Sequence, residues 1–308
     1  MLNRLMLNAS SDATCCPICG DAGDRYGRRG YYFKCPKCKA CFRPQHESVA
    51  ELDQYWQEDF WTEEEIEKRK EREPVFRHAF EILRHHKPET TSVLDIGCGI
   101  GTFLAVCREG GLSITGVEPS AVACEVSKRE YGLELINEPF SSRMFQGTKF
   151  DAIFAAQVLH HLEDPAAFAA DVDRVLADGG ILILRTPNLV AQEPILFLQH
   201  LLGMEKGFFC DPALYVFHPD TLSLLFRRLG YHDVKFVNSR PYLETRRNPG
   251  RAKPSLAANL KRASLTALKL ATYGFVDVVY RLSNGRAVIG PSIFVIARKR
   301  QEPVRKES

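Results

Sequence analysis

Residues 93–101 combine an apolar run, one acid and three glycines at every second position. The apolar residues predict a buried parallel strand that contains Asp95. The glycines, which allow a tight turn and let a ligand touch the main chain, are Gly97, Gly99 and Gly101. Residues 102–108 then predict the start of a helix, whose N-terminus favours electron-rich ligand groups. This segment therefore predicts a site where a small ligand rests against bare backbone at the end of a strand.

The spacing of these glycines does not fit the dinucleotide-binding fingerprint, which needs a third glycine where Thr102 stands. The order of one acid followed by three alternating glycines instead resembles the first motif of class I S-adenosylmethionine (SAM)-dependent methyltransferases. That resemblance implies that the methionine part of SAM lies against Asp95, Gly97, Cys98, Gly99 and Gly101. The alternative is a glycine-rich turn between a strand and a helix in some other α/β fold.

A second acid ends the next predicted strand. Residues 112–117 form a largely apolar run that stops at Glu118. An acid in this place of a nucleotide-binding unit can accept hydrogen bonds from both ribose hydroxyls. The alternative is a solvated acid, with Pro119 and Ser120 at the N1 and cap positions of a helix. By the same resemblance, Asn137 and Glu138 at the end of the third strand border the adenine ring.

The stretch over 150–190 adds a further resemblance. It predicts a strand over 150–157, an amphipathic helix over 168–176 and a strand over 181–184. A His-His pair and an Asp-Pro step lie between the first strand and the helix, and a Gly-Gly turn follows the helix. This order is similar to that of methyltransferases acting on small molecules, quinone precursors, sugars and glycolipids. The resemblance covers residues 91–190 and implies an α/β fold with a seven-stranded, doubly wound Rossmann-like sheet. It also places Gln157 beside the methyl-transfer site.

His160 and His161 are the candidate catalytic residues. They follow the fourth predicted strand, at the carboxyl edge where ligands bind in open α/β sheets. Histidine titrates near neutral pH, so one of the two suits the base that takes a proton from a hydroxyl or an activated carbon. The alternative is that the pair fixes the loop or packs the helix start. His218 is a third candidate.

Six of the ten cysteines lie within the first 41 residues. Two Cys-x-x-Cys pairs with a spacing typical of a four-thiolate zinc site are formed by Cys16, Cys19, Cys35 and Cys38. A module this small lacks a core of its own, so the metal would supply folding energy. A closed four-cysteine site has no open position for catalysis, which makes this zinc ribbon a staple or a substrate-side lid. Cys15 and Cys41 are adjacent thiols that could replace a ligand; disulfides or ordinary buried thiols are the alternatives.

We expect five segments: the zinc ribbon over 1–47, a helical linker or lid over 48–90, the SAM-binding core over 91–190, a C-terminal part over 191–300 and a disordered tail over 301–308. In the linker, Thr62 predicts a helix cap and Pro74 a break in the helix. The aromatic residues at 55, 56, 60 and 61 either cover the SAM pocket or simply pack. Residues 240–290 form a basic amphipathic insert that either caps the substrate cleft or lies on an anionic membrane surface.

The net charge of +3 gives no strong reason to expect nucleic acid, and no apolar run is long enough to span a membrane. We therefore expect a cytoplasmic protein, with peripheral membrane contact through the basic insert as the second interpretation. The resemblance implies a SAM-dependent methyltransferase with a structural Zn²⁺, acting on a small-molecule, sugar or glycolipid acceptor, at oxygen in preference to carbon or nitrogen. The alternatives are an RNA methyltransferase that reads RNA with its ribbon, and a SAM-binding regulator without catalysis.

Overall fold

The computed structural model describes residues 14–26, 32–43, 55–201, 213–240 and 256–301. The N-terminal part is a small antiparallel sheet. Its strands are β1 (Thr14–Cys15), β2 (Ala22–Tyr26), β3 (Tyr32–Lys34) and β4 (Cys41–Phe42), and β4 pairs with β9 (Tyr215–Val216) from far along the chain. The pairing of β4 with β9 joins the cysteine-rich module to the rest of the protein through main-chain hydrogen bonds.

Two helices connect this module to the core. Helix α1 (Glu63–Lys70) starts at Thr62, whose hydroxyl accepts a hydrogen bond from the N–H of Glu65 at 3.3 Å. Helix α2 (Glu73–His86) carries Pro74 in its first turn. Both the predicted cap and the predicted break are therefore present, because proline is tolerated only where its missing N–H is not needed.

The main sheet contains six strands: β5 (Ser92–Ile96), β6 (Ser113–Val117), β7 (Phe150–Ala156), β8 (Leu176–Pro187), β10 (Asp233–Asn238) and β11 (Ser292–Arg298). Their order is β10-β11-β8-β7-β5-β6. The pairs among β5, β6, β7 and β8 are parallel, whereas β11 is antiparallel to both β8 and β10.

The expectation of seven strands is not confirmed. Within the described residues, the predicted third strand is reduced to one parallel bridge between Val117 and Ile136. The next bond of such a ladder would end on the carbonyl oxygen of Glu118, but the side-chain amide of Asn137 already donates to that oxygen at 3.0 Å. Pro139 follows two residues later and has no N–H to extend the ladder.

Other element boundaries also differ from prediction. Strand β8 starts at Leu176, directly after the helix over Pro165–Val175, so the Gly179-Gly180 step lies inside the strand rather than before it. A register shift between Phe150 and Ala152 accommodates the extra residues. Ser120 caps the helix that follows Glu118, as predicted, and its hydroxyl accepts from the N–H of Ala123 at 3.4 Å, but Pro119 precedes the cap instead of standing at N1.

Helices cover both faces of the sheet, as a doubly wound fold requires. They are α3 (Thr102–Glu109), α4 (Ala121–Tyr131), α5 (Pro165–Val175), α6 (Leu189–Leu201), α7 (Pro219–Arg228) and α8 (Leu256–Leu282), together with α2. On one face, α2 and α3 pack on the sheet through rings such as Phe103 and Phe154, whose centroids lie 3.9 Å apart. On the other face, α5 and α7 share a continuous core with the cysteine-rich module. Each large side chain buried here contributes roughly 1.5–3 kcal/mol of stability.

Helix α8 lies within the predicted basic insert. Its Val276 is buried, and the hydroxyl of Tyr280 donates to the carbonyl of Phe236 on β10 at 3.1 Å, while Leu268, Phe275 and Leu282 are exposed. The basic residues Arg246, Arg247, Arg251 and Lys253 lie outside the described residues, as does the predicted tail after residue 301. In the described ranges, no helix has the length and hydropathy needed to cross a bilayer.

Candidate active site

The glycine turn after β5 forms the base of the site. The φ angles of Gly97, Gly99 and Gly101 are +65°, +56° and +78°. Residues other than glycine adopt this left-handed region only with strain. A Cβ atom on Gly97 would lie 2.6 Å from Val158, and one on Gly99 would lie 2.9 Å from the ring of Trp61. Both the backbone conformation and the space above it therefore require glycine at these positions.

Glu118 holds this turn in place. Its carboxylate accepts hydrogen bonds from the N–H of Gly99 at 2.8 Å and from the N–H of Ser120 at 3.1 Å. The side chain is buried, and burial raises the pKa of Glu118, against the two main-chain donors that lower it. The predicted ribose-binding acid is thus in the predicted position, at the end of β6, and it also supports the main-chain cradle.

Asp95 lies beneath the same turn. It is buried near the end of β5, and burial, with the charge of Glu118 as a smaller cause, raises its pKa well above the usual range. Cys98 is half-buried in the turn; burial raises the pKa of its thiol, which therefore stays protonated at neutral pH. The structure thus brings together two carboxyl groups and the half-buried backbone of the glycine turn, a donor and acceptor set that fits the amino-acid and ribose parts of SAM.

Asn137 lies beside the turn but acts on the main chain. Its amide donates to the carbonyl oxygens of Glu118 at 3.0 Å and Pro119 at 2.9 Å. Glu138 is exposed next to it. Asn137 therefore fixes the segment after β6, and contact of this pair with adenine stays a prediction.

Gln157 and the histidine pair follow β7. Gln157 has a left-handed φ of 61°, and its N–H donates to the carbonyl of Arg185 on the neighbouring strand at 2.8 Å. His160 is buried, and its Nδ1 has no hydrogen-bond partner in the described part of the chain. Burial, followed by the charges of His161 and Arg185, lowers the pKa of His160 well below its usual value, so this ring is neutral.

His161 differs from its neighbour in accessibility. It is only half-buried, and its ring centroid lies 4.4 Å from that of Trp56. His218, the third sequence candidate, is the N-cap of α7, where its Nδ1 accepts from the N–H of Asp220 at 3.1 Å. His161 and His218 are both partly exposed, and His218 is engaged as a helix cap, so His161 is the stronger candidate for the base.

The aromatic segment at residues 55–61 spans the site. Trp61 packs on Gly99 and donates from Nε1 to the carbonyl of Trp56 at 3.1 Å. The carbonyl of Gln57 accepts from the hydroxyl of Ser120 at 2.6 Å. This segment therefore connects the glycine turn to His161, and its role as a cover stays a prediction.

Three arginines at the site were missed by the sequence analysis. Arg69 of α1 lies 5.0 Å from the centre of the Phe60 ring and pairs with Glu65 at 2.8 Å, and Arg72 lies 3.6 Å from the same carboxylate. Arg185 ends the apolar run of β8. The available signal was a lone cation directly after Ile181–Leu184, at the carboxyl edge of a predicted buried strand.

The cysteine-rich module contains a candidate metal site. The sulfur atoms of Cys16, Cys19, Cys35 and Cys38 all lie within 4.8 Å of one another, with Cys16–Cys38 at 3.5 Å and Cys19–Cys35 at 3.4 Å. Sulfurs around a tetrahedral zinc with bonds of about 2.3 Å stand about 3.8 Å apart, so this group fits zinc with little movement. Cys15 is exposed and Cys41 is buried, and both lie outside this four-sulfur group.

The module is tied to the core at several points. The hydroxyl of Thr221 in α7 donates to the carbonyl of Cys38 at 2.6 Å, and the guanidinium of Arg228 donates to the carbonyl of Ile18 at 2.6 Å. Leu214 accepts from the N–H of Arg43 at 2.8 Å and donates to the carbonyl of His160 at 2.9 Å. One residue thus connects the end of the module to the histidine loop.

Comparisons with known proteins agree with this geometry. Residues 67–235, more than half of the chain, match the family described as a methyltransferase domain. A ubiquinone biosynthesis O-methyltransferase from Caulobacter sp. is 31% identical over 124 residues, which are 38% of this chain and 46% of that protein. A tRNA U34 carboxymethyltransferase from Nautilia profundicola is 28% identical over 172 residues, 52% of this chain and 53% of that protein. The chain spans about half the length of these curated relatives.

The fold comparison points the same way. Magnesium protoporphyrin IX methyltransferase from Synechocystis PCC 6803, solved with S-adenosylhomocysteine (SAH) bound, superposes with a TM-score of 0.51 at 12% identity, covering 82% of this chain and 100% of that chain. At this identity the likeness shows the fold alone. With the family match, it leads to one conclusion: the chain belongs to the methyltransferase domain family, and its sheet is the Rossmann-like core of a class I SAM-dependent methyltransferase.

Proposed function

We propose that this protein transfers a methyl group from SAM to a small-molecule, sugar or glycolipid acceptor, with oxygen as the preferred methylated atom. The observation that carries the proposal is the bare glycine turn held by Glu118 at the carboxyl edge of the sheet. When bound, SAM supplies an electrophilic methyl group on a sulfonium. The similarity to ubiquinone biosynthesis O-methyltransferases supports an oxygen acceptor.

The cofactor end of the site is formed by β5 and β6. Gly97 and Gly99 offer the main-chain surface, and Asp95 and Glu118 are the acids placed to receive the amino and hydroxyl groups of the ligand. The raised pKa values of both carboxyl groups make them costly to ionise in the ligand-free protein. A cationic ligand would lower that cost, because an opposite charge favours the ionised form.

The acceptor end is formed by β7 and the loop after it. We assign His161 as the base that takes the proton from the acceptor hydroxyl, since it is accessible from the site while His160 is buried and neutral. His160 acts as a positioning residue for the loop, since its carbonyl accepts from Leu214. The segment over residues 55–61 excludes water from the space between the glycine turn and His161.

Binding of SAH and turnover can be tested separately. Calorimetry should show one SAH molecule bound per chain, and methyl transfer from radiolabelled SAM should be seen on 3,4-dihydroxybenzoate, a simple diphenol. If calorimetry shows SAH binding but no phenol, sugar or lipid acceptor is methylated, the alternative of a SAM-binding regulator without catalysis is favoured. The absence of binding by well-folded protein would refute the proposal.

The second candidate is an RNA methyltransferase. The tRNA-modifying relative from Nautilia profundicola supports it. Against it, residues 156–159 read Ala-Gln-Val-Leu. Base N-methyltransferases often carry Asn/Asp-Pro-Pro-aromatic in that place. A mobility shift with bulk RNA that weakens steeply with salt would favour this candidate.

We also propose that the four cysteines hold a structural zinc ion. The supporting observation is the closed group of four sulfurs, which leaves no position open for a substrate. In the described part of the basic insert, the exposed apolar residues of α8, such as Leu268, Phe275 and Leu282, are compatible with contact to a membrane surface. The cap over the acceptor cleft remains our preferred interpretation.

A further inference from the structure

Arg185 lies at the acceptor side of the site. In the sheet order, β5 carries the glycine turn and β6 carries Glu118, while β8 lies on the other side of β7. The carbonyl of Arg185 accepts from the N–H of Gln157, the first residue after β7. The side chain of Arg185 therefore starts two strands away from the glycine turn, on the side of β7 where we propose that the acceptor binds.

The guanidinium of Arg185 has an unusual set of neighbours. Its Nε donates to the hydroxyl of Ser239 at 2.9 Å, a neutral partner. Within the described ranges, no carboxylate forms an ion pair with it. Burial lowers its pKa to about 10; the positive charges of Arg72 and Arg69 contribute in the same direction, and Tyr273 opposes them. At neutral pH Arg185 is thus a charged group among other cations.

Such an arrangement is unfavourable without an anion. Removing a charge from water is costly unless a partner of opposite sign compensates, and nearby like charges add to that cost. Arg69 and Arg72 share the carboxylate of Glu65, so that acid is already engaged by two guanidinium groups. The two terminal nitrogens of Arg185 remain available in the fork geometry that matches a carboxylate or a phosphate.

We propose that Arg185 binds an anionic group of the acceptor, a carboxylate or a phosphate, and that the protein therefore selects acceptors bearing such an oxyanion. This inference rests on the proposed methyltransferase function, because it assigns the far side of the same site. Arg72 adds positive potential but is not required to contact the anion. Neutral acceptors of the same size would leave Arg185 uncompensated and would bind weakly.

The experiment uses the full-length protein saturated with SAH. Benzoate and phenyl phosphate serve as probes of the two oxyanion classes, and benzamide and phenol serve as their neutral counterparts. Calorimetry should show that at least one of the two anions binds, whereas neither neutral compound does. Whichever anion binds more tightly identifies the class of the acceptor's charged group.

Two variants and one control assign the binding to this residue. Arg185→Gln should weaken binding of the preferred anion by about tenfold or more, the usual effect of losing a charge-assisted hydrogen bond. Arg185→Lys should retain part of the affinity, because it keeps the charge but loses the fork. Arg129→Gln removes an exposed arginine that pairs with Glu130 and should change nothing. Circular dichroism checks that each variant is folded.

The outcomes separate this inference from the proposed function. SAH affinity should be the same within about twofold in the wild type and in folded Arg185 variants. If SAH binds but neither anion does, or if folded Arg185→Gln and Arg185→Lys both bind the anion as tightly as wild type, the anion site is refuted and the methyltransferase proposal stands. If SAH does not bind, the methyltransferase proposal fails, and with it the assignment of Arg185 to an acceptor.

Discussion

The carboxylate of Glu118 accepts a hydrogen bond from the N–H of Gly99 at 2.8 Å, across the gap between the ends of β6 and β5. This contact connects the acid predicted to hold the ribose with the turn predicted to hold the methionine part. The two halves of the proposed SAM site therefore position one another. A change in either residue is expected to disturb both halves.

Gly99→Val should abolish SAH binding and leave the protein folded. The new side chain would adopt a left-handed φ of +56° and would meet the Trp61 ring, since even a Cβ would lie 2.9 Å from it. The matched control is Gly132→Val at the end of α4, where φ is +63° and a Cβ meets nothing within 4 Å. Calorimetry with SAH should show normal affinity only for the control. Retained affinity in folded Gly99→Val would refute this site.

Asp95→Asn should stabilise the ligand-free protein at neutral pH. Burial raises the folded-state pKa of Asp95 above its unfolded value of about 3.9. Between these two pKa values the folded state keeps the proton that the unfolded state has lost, so the free energy of unfolding falls as the pH rises. Each pKa unit corresponds to about 1.4 kcal/mol. Urea unfolding at pH 5 and pH 8 should therefore show a smaller loss of stability for Asp95→Asn than for wild type. An equal loss in both proteins would contradict the raised pKa.

His161→Gln should lower kcat by about 10² to 10⁴, the range for loss of a general base, with little change in SAH affinity. The comparison variant is His160→Gln, which leaves His161 in place but alters a buried ring. We expect His160→Gln to reduce stability more than His161→Gln does. Turnover of His161→Gln at the wild-type rate, measured with radiolabelled SAM, would exclude His161 as the base.

Metal analysis should find about one zinc ion per chain. Cys16→Ser or Cys38→Ser should lose the metal and lower Tm, because four thiolates form a structural site and three bind more weakly. Cys15→Ser is the control, since Cys15 is exposed and outside the four-sulfur group. A metal-free protein with the same Tm as the zinc-loaded one would show that the ribbon needs no metal.

The sequence was most informative where a local residue pattern reflects the backbone conformation that the position requires. Gly97, Gly99 and Gly101 could be placed from the sequence because their positive φ values are a local requirement. The strands over 92–96 and 150–156 followed from apolar runs that are largely buried, as expected of central parallel strands. The strand over 113–117 lies at the edge of the sheet, where only its last two residues are buried.

What could not be predicted depends on contacts between distant residues. The third strand is reduced to one bridge where Asn137 donates to the carbonyl of Glu118 and Pro139 lacks an N–H, and no periodicity reveals the contact of Asn137. The pairing of β4 with β9 joins residues 41–42 to 215–216, a separation that local pattern does not constrain. The grouping of Arg69, Arg72 and Arg185 likewise arises only when α1, α2 and β8 meet at one edge of the sheet.

The two main-chain hydrogen bonds of Leu214 have a consequence for regulation. They make the loop of the proposed base continuous with the fold stabilised by the cysteines, through Arg43 on one side and His160 on the other. If the cysteines hold zinc as proposed, we expect its removal to disturb the histidine loop as well as the cysteine-rich module, because both are bonded to Leu214. Loss of the metal would in this way lower turnover without a direct change at the glycine turn.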